Sequence, residues 1–542
     1  MAERYDYVIV GAGSAGCAAA AAISEDPDVS LAIIEAGPPA RGRLFEIPRL
    51  FGLQLKTTFD WDLQTEPEPM LGGRRCYLPR GRVLGGTSSM NTQLYVRGNP
   101  ADYDSWRDEL GLAGWGYEDV LPVFRRQEDN ERGEDDFHGV GGALRVSDAR
   151  SVDPLLSAWV EAALEAGHPA NADFNGVRQE GVGVYQLTQR NGLRWSSAMA
   201  FLEPAARRPN VTVLPLTQAL GIRWAGDRAV GLNVDAGGET RTIEIDRELI
   251  VCAGAYLSPH LLLLSGVGPA DELRAAGIRP VIDLPDVGRN LKDHPGCFIS
   301  LPSRGGGPLT VDTAYNEALL RGEGYGPLTW SEAGGFIKST SEVPLPDLQF
   351  HAALGLVKEE GLSAGLDHGL GFGPYVCRPR ASGTVQLRSA VPYAKPRIRH
   401  NYLAEPSDLE LLRTGVRMAM QIARQPGLRD HVQDLESAAR AGLAPTSDTH
   451  EAIDEFLRGN AFSFYHPSGS CSMGKVVDSE LRVRGLANVR VADASVVPAG
   501  LTGNLNATAI LIGERVGDFI RGSAPTGAAE ADIPGSLSQA GQ

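Results

Sequence analysis

YDYVIVGAGSAGCAAA (residues 5–20) joins an apolar, strand-forming run to a glycine-spaced turn and then to a stretch of small, helix-favouring residues. A second apolar run, LAIIEAG (31–37), follows after one helix length, so the opening reads as strand, turn, helix, strand: one βαβ unit. Gly11, Gly13 and Gly16 fall on G-x-G-x-x-G. The first glycine allows the tight turn, the second lets backbone approach a pyrophosphate, and the third lets the helix pack on the strand. The N–H groups of Ser14 and Ala15 stand at the positive end of that helix, where phosphate is favoured. Glu35 ends the second strand, roughly twenty residues on, where an acid accepts from ribose hydroxyls, with Ala36 beside it. The acid favours an unphosphorylated ribose, so FAD or NAD rather than NADP; the fingerprint does not choose between those two.

The chain has 542 residues, which argues for two or more domains. A formal net charge of −16 argues against nonspecific binding to nucleic acid or to anionic membranes. The six cysteines are widely spaced with no C-x-x-C pair, so neither a metal site nor a disulfide framework is expected, only reduced buried thiols. There is no signal-peptide pattern and no apolar run of membrane-spanning length, and the expected location is the cytoplasm.

The expected fold class is α/β (α+β overall), with a Rossmann-like dinucleotide-binding domain and a substrate domain built on an antiparallel sheet flanked by helices. The pattern assigns 1–150, 205–300 and 461–522 to a discontinuous nucleotide-binding domain and 151–204 and 301–460 to the substrate domain. The small, polar, proline-containing segment 523–542 is expected to be disordered. EDNERGEDDFHG (128–139) reads as a solvated acidic surface loop, SSMNTQLYV (88–96) as a loop running into a strand, and DLQFHAAL (347–354) as a half-buried strand.

Four further stretches choose the dinucleotide: GRVLGGTSSMN (81–91), GAYLSPHLLLLSGVG (254–268), YHPSGSCSMG (465–474) and NVRVADASVVP (488–498). In this order, and with the N-terminal loop, they resemble the glucose–methanol–choline (GMC) family of FAD-dependent oxidoreductases over residues 1 to about 522. The resemblance implies FAD contacts from Gly81, Val83, Gly86, Thr87, Met90, Asn91 and Thr92 around the flavin and pyrophosphate. It implies others from Leu220, Ala253 and Gly254 near the ribose and adenine, and from Asp493 and Ala494 at the ribityl chain. Asn504, Asn506 and Ala507 are expected at the flavin edge. In the choline-oxidase branch a histidine bonded covalently to FAD stands where this chain has Met90, so the resemblance implies non-covalent FAD. Ser258 is expected to cap a helix with Pro259 in its first turn, and His260 to be structural. Asp293 and His294 are expected to steady the loop over FAD.

His466 lies in the segment resembling the family's active site, and Asn504 holds the place, counted from IGER (512–515), of the family's second catalytic residue, histidine or asparagine. Histidine titrates near neutral pH and can take a hydroxyl proton, while an asparagine amide can donate to the developing alkoxide. The resemblance then implies hydride transfer from the carbinol carbon to flavin N5. Asn506 reads as the N-cap of the last helix. Phe464, Tyr465, Glu332 and Phe336 are expected at the substrate pocket, with Trp330 and His351 as further candidates.

The expected activity is therefore FAD-dependent oxidation of a small-molecule alcohol to an aldehyde or ketone, with O2 as acceptor. Three alternatives stay open at this point: a dehydrogenase using a quinone or other carrier, an FAD-containing hydroxynitrile lyase, and an oxidase of a sugar or aminoglycoside hydroxyl.

Overall fold

The computed structural model describes residues 3–150, 152–305, 331–357, 360 and 368–522. Trp330 and the tail 523–542 lie outside the described residues.

Strand Glu3–Val10 is the centre of the first sheet. It pairs in parallel with Leu31–Ile34 on one side and with Glu239–Val251 on the other. Val211–Leu214 extends the first edge in parallel. The long strand Glu239–Val251 then serves two partners along its other edge: its beginning pairs antiparallel with Arg228–Ala236, and its end pairs in parallel with Val489–Val491. A third meander strand, Thr217–Ala225, completes seven strands. Parallel strands covered on both faces require unbroken apolar runs, which is what YVIV and LAII supply. Helix Ser14–Ile23 packs on this sheet and against the last helix, Asn506–Arg521. The two helices approach closely because small residues meet: a Cβ on Gly513 would stand 2.2 Å from the Ala15 carbonyl oxygen, and one on Gly517 would stand 2.4 Å from Ala22 Cβ.

The second sheet is antiparallel, in the order Phe462–Ser463, Pro295–Gly296, Gly369–Val376, Leu348–Leu354, Ala333–Ile337, Gly181–Val184, with Ile299–Pro302 also on Gly369–Val376. Helices Pro154–Glu165 and Pro406–Ala423 pack against it over a core that includes Trp159, Phe372 and Leu412. Leu348–Leu354 is buried at every position, so it is covered on both faces rather than half-buried as its alternation implied.

Other expectations are corrected here. The two cores do not divide at the boundaries read from sequence: Ala198–Leu202 packs in the first core, and Leu71 and Cys76 in the second. Segment 91–96 forms no strand; Leu94 makes one isolated bridge to Leu187. The acidic run 128–139 is exposed only in part. Glu128 and His138 are buried, with Glu128 Oε1 2.7 Å from Arg97 Nη2 and 2.9 Å from His138 Nδ1, and His138 Nε2 2.9 Å from Asp173 Oδ2. Like charges in sequence thus conceal a buried network of alternating sign. All six cysteines are free and buried, as expected. Among the described residues no helix is long and apolar enough to cross a membrane, and no group of His, Cys, Asp and Glu could hold a metal ion.

Candidate active site

A cavity of about 390 Å³ runs from the N-terminus of helix Ser14–Ile23 to the facing edges of the second sheet. At one end its wall is backbone. Gly11 has φ +99°, and a Cβ there would stand 2.5 Å from the Cys252 carbonyl oxygen; one on Gly16 would stand 1.9 Å from the Gly11 carbonyl oxygen. Both positions are filled by protein. Gly13 differs: a Cβ there meets nothing within 4 Å, and its face opens on the cavity. Gly86 closes the loop from the other side, its Cβ position 2.7 Å from Gly13 Cα, and the Gly85 N–H donates to the Ala12 carbonyl at 2.7 Å. Thr87 Oγ1 accepts the Gly81 N–H at 3.2 Å. Two glycine loops therefore interlock beside a helix N-terminus and leave open space at the one glycine that the fingerprint assigns to phosphate.

Glu35 lines the same cavity with both oxygens engaged, Oε2 by the Ala12 N–H at 3.1 Å and Oε1 by the Gly37 N–H at 2.9 Å. Burial pushes its carboxyl up to about 7 against those two bonds. Asp493 accepts from the Gly254 N–H (2.8 Å), Ser258 Oγ (2.5 Å) and the Ser495 N–H (2.7 Å), and burial raises its carboxyl also. It both caps the short turn 494–496 and lines the cavity. The helix after Ala253 begins at Gly254, four residues before the expected cap, and Pro259 lies inside it. The Ala255 carbonyl, which the missing Pro259 N–H would have served, is taken by Ser470 Oγ at 2.5 Å. Ser258 still accepts the Ala253 N–H, at 2.9 Å.

The other end is built from side chains. The YHP turn places Tyr465 at φ +67°, held by its N–H to Ser463 Oγ (2.8 Å), its hydroxyl to the Glu360 carbonyl (2.5 Å) and Arg80 Nη2 on its carbonyl (2.8 Å). The next residue, His466, donates its N–H to Asp293 Oδ1 at 2.9 Å. Its ring lies between two partners: Nδ1 is 3.0 Å from His294 Nδ1, and Nε2 is 3.0 Å from Asn504 Nδ2. Asn504 follows Gly503, where a Cβ would stand 2.6 Å from Val96 Cγ1, and that loop is pinned by the Thr502 N–H to buried Asp102 at 2.7 Å. Burial, then the charges of His294, His351 and Arg80, hold the His466 imidazole well below its ordinary 6.5. Burial takes His294 down to about 4. A neutral imidazole carrying a donor amide at Nε2, in the wall of a cavity, can accept a proton from a hydroxyl and stabilise the oxyanion left behind.

Most residues expected from sequence meet at this cavity: Gly11, Gly13, Ser14, Ala15, Glu35, Ala36, Gly81, Gly86, Thr87, Met90, Asn91, Thr92, Ala253, Gly254, Asp493, Ala494, Asn504 and Asn506, with His466, Phe464 and Tyr465 at the far end. Six do not line it. Gly16 is a helix-packing position, and Val83 and Ala507 are core residues beneath the loop and helix that do. Leu220 falls at a shift in strand register, while Thr217, Gln218 and Ala219 line the cavity in its place. Phe336 packs on Phe174 (ring centroids 5.6 Å apart), and buried Glu332 serves the core through its carbonyl, which accepts the Tyr185 N–H. Asn506 is one residue off as a cap: the helix is preceded by Leu505, and Asn506 Oδ1 instead accepts from Ser14 Oγ at 2.7 Å, joining the last helix to the phosphate end.

Asp293, expected to steady the loop over the cofactor, also holds His466, Ser463 Oγ (2.5 Å) and the Tyr402 hydroxyl (2.6 Å) together. Sequence reading missed other members. Arg194, 1% exposed, donates to Asn91 Oδ1 (2.9 Å) and to the carbonyls of Ser88 (3.1 Å) and Phe45 (3.0 Å), and burial alone lowers it to about 9. Trp61, Phe298 and Ser331 line the cavity. The periodicity of DLQFHAAL gave no hint that Gln349 bonds to Asn504 (3.1 Å).

The residues at the backbone end fit a flavin dinucleotide: open space at Gly13, a helix N-terminus, and two buried carboxylates lining one elongated cavity that reaches His466. Comparison with known proteins agrees. The N-terminal GMC oxidoreductase family model matches residues 5–296 and the C-terminal one residues 379–513. The chain is 39% identical over 536 residues to an oxygen-dependent choline dehydrogenase of Brucella anthropi, covering 96% of each chain. Among solved structures it is similar to pyridoxine 4-oxidase from Mesorbium loti (TM-score 0.85, 29% identity, 96% of this chain and 99% of that one). It is also similar to an FAD-dependent oxidoreductase from Chaetomium thermophilum (TM-score 0.83, 25% identity, 96% and 99%).

Proposed function

The chain belongs to the GMC oxidoreductase family, and on that premise we propose that it oxidises a small alcohol to the aldehyde or ketone with His466 as base and O2 as electron acceptor. The observation that carries this reading is the contact between His466 Nε2 and Asn504 Nδ2, 3.0 Å, in the wall of the cavity that begins at the phosphate loop. The Gly11–Ala15 turn, Glu35, the 81–92 loop and Asp493 would hold FAD, which when bound would supply the acceptor for a hydride from the carbinol carbon. The protein's own part is to hold the alcohol and move its proton. The hydroxyl displaces the Asn504 amide from His466 Nε2, gives that atom its proton, and leaves an alkoxide facing Asn504 Nδ2. Asp293 and His294 keep the imidazole in place while it becomes charged.

Trp61, Phe464 and Tyr465 line the cavity, and the choline dehydrogenase relatives make choline the first substrate to test. Met90 lines the cavity with no nucleophile to offer, which supports dissociable FAD.

The test is anaerobic mixing of FAD-loaded protein with choline, benzylic, furfuryl, aliphatic and sugar alcohols. At least one should bleach the flavin, and admitting air should then yield peroxide. Bleaching that is reversed only by an added quinone or dye would replace O2 as the acceptor, and turnover without bleaching would mean a lyase. Acid precipitation should release the flavin into the supernatant.

A further inference from the structure

Asn504 works as proposed only if its nitrogen, not its oxygen, faces His466 and the cavity. A carboxamide can turn over at little cost in shape, so something must set its direction. Hydrogen bonding behind the site does so. Tyr185 donates its hydroxyl to the Phe350 carbonyl at 2.9 Å, which uses its one hydrogen. Its oxygen can then only accept from Gln349, whose Nε2 lies 3.2 Å away. Gln349 is thereby fixed with nitrogen on that side, and its Oε1 accepts from the Tyr375 hydroxyl. The same Nε2 lies 3.1 Å from Asn504 Oδ1 and 3.0 Å from His351 Nε2, so of its two hydrogens one goes to Asn504 and the other is shared between Tyr185 and His351. With Oδ1 occupied, Asn504 must turn Nδ2 to His466 Nε2, which becomes the acceptor; the imidazole proton is then on Nδ1, shared with His294 Nδ1. Turning Gln349 over would set its oxygen against a Tyr185 oxygen with no hydrogen left to give. Gln349 is fully buried and sits opposite Tyr375 in the strand register.

We infer that Gln349 is a positioning residue for the proposed oxidation: it locks the Asn504 amide so that a donor meets the alkoxide and the lone pair of His466 Nε2 is the base. The inference rests on the function proposed above and acts wholly through Asn504. Gln349→Met keeps the volume and removes the donor. Gln349→Glu reverses the polarity, since its carboxylate accepts from Asn504 Nδ2 and turns Oδ1 toward His466.

Two measurements on FAD-loaded protein test it. The first is a double-mutant cycle read by the limiting rate of anaerobic flavin reduction. Gln349→Met should slow that rate about tenfold, the scale of one hydrogen bond, with less than a threefold change in half-saturating alcohol and an unchanged flavin spectrum. In the Asn504→Ala background it should cost nothing more. An equal loss in both backgrounds, or no loss in the native one, overturns the inference. The second is the 15N signal of His466 in histidine-labelled protein, assigned with His466→Gln. Nε2 should be unprotonated in the native protein and protonated in Gln349→Glu; the same tautomer in both overturns the inference. A flavin that no alcohol reduces would overturn the proposed function instead, and the tautomer measurement would still decide the role of Gln349.

Discussion

The two ends of the cavity are made by opposite means. At the phosphate end recognition is by backbone: Gly11, Gly16, Gly81 and Gly86 stand where a Cβ would strike protein, and Gly13 where it would strike only open space. At the end proposed to be catalytic the wall is made by side chains that come from distant parts of the chain: His294, Gln349, His466 and Asn504 meet in one hydrogen-bonded line. The first kind of site tolerates almost no exchange of residue type. The second tolerates many exchanges of identity but few of donor and acceptor direction. Substitutions at the two ends should therefore fail differently.

The sharpest contrast lies within the phosphate end. Gly16→Ala puts a Cβ 1.9 Å from a carbonyl oxygen, so the protein should fail to fold or melt far earlier. At Gly13 a Cβ meets nothing in the protein within 4 Å, so Gly13→Val should fold normally, with unchanged far-ultraviolet circular dichroism, and bind no flavin. A folded Gly13→Val protein with full flavin content would break the comparison. Next in size is the pair of asparagines. Asn504→Ala should slow flavin reduction by roughly 10²-fold, the scale for one donor to an oxyanion, and leave flavin content intact. Asn506→Ala removes only the bond to Ser14, so it should weaken FAD binding by about 3- to 10-fold and leave the reduction rate near normal. Titration of the apoprotein with FAD, followed by stopped-flow reduction, separates the two; exchanged phenotypes would move the catalytic role by two residues.

A third effect belongs to a region remote from both ends. Burial opposes a charge on His138, but its hydrogen bonds to Asp173 and Glu128 outweigh that and raise it to about 9. A folded pKa above the ordinary 6.5 means that its stabilisation is complete below pH 6.5 and is lost as pH rises through about 9. His138→Gln should thus be less stable than the native chain near pH 6, by on the order of 2 kcal/mol, with the gap closing by pH 10. Urea midpoints across that range check it; a constant gap would mean that the buried network holds without the histidine charge.

The same contrast explains what the chain disclosed before folding. The dinucleotide loop was legible because its glycines are demanded one by one by backbone contact; His466 and Asn504 were expected from the resemblance of their segments to the GMC family, and the structure brings the two side chains together at the cavity. Gln349 was not, because a strand residue buried on both faces shows only the period of its strand. Asp293 was assigned to the loop over the cofactor, although its carboxylate gathers His466, Ser463 and Tyr402, because those partners lie more than a hundred residues away. Phe336 and Glu332 were misplaced for a related reason: the segment was right, but alternation along a strand covered on both sides does not say which face borders a cavity. Glu128 and His138 were hidden by composition, since an acidic run reads as surface whatever buried arginine it meets.

The central claim is that His466 takes the hydroxyl proton. It is tested most directly by the rate of anaerobic flavin reduction in His466→Ala, loaded with FAD and followed from pH 5 to 10 with a substrate that bleaches the native protein. In the native protein the acid limb should fall below pH 6.5, because burial keeps the imidazole neutral. The variant should keep its flavin, lose the rate by about 10²-fold or more near neutral pH, and recover part of it at high pH, where the alcohol ionises unaided. Near-native reduction across that range with the flavin still bound would contradict the account.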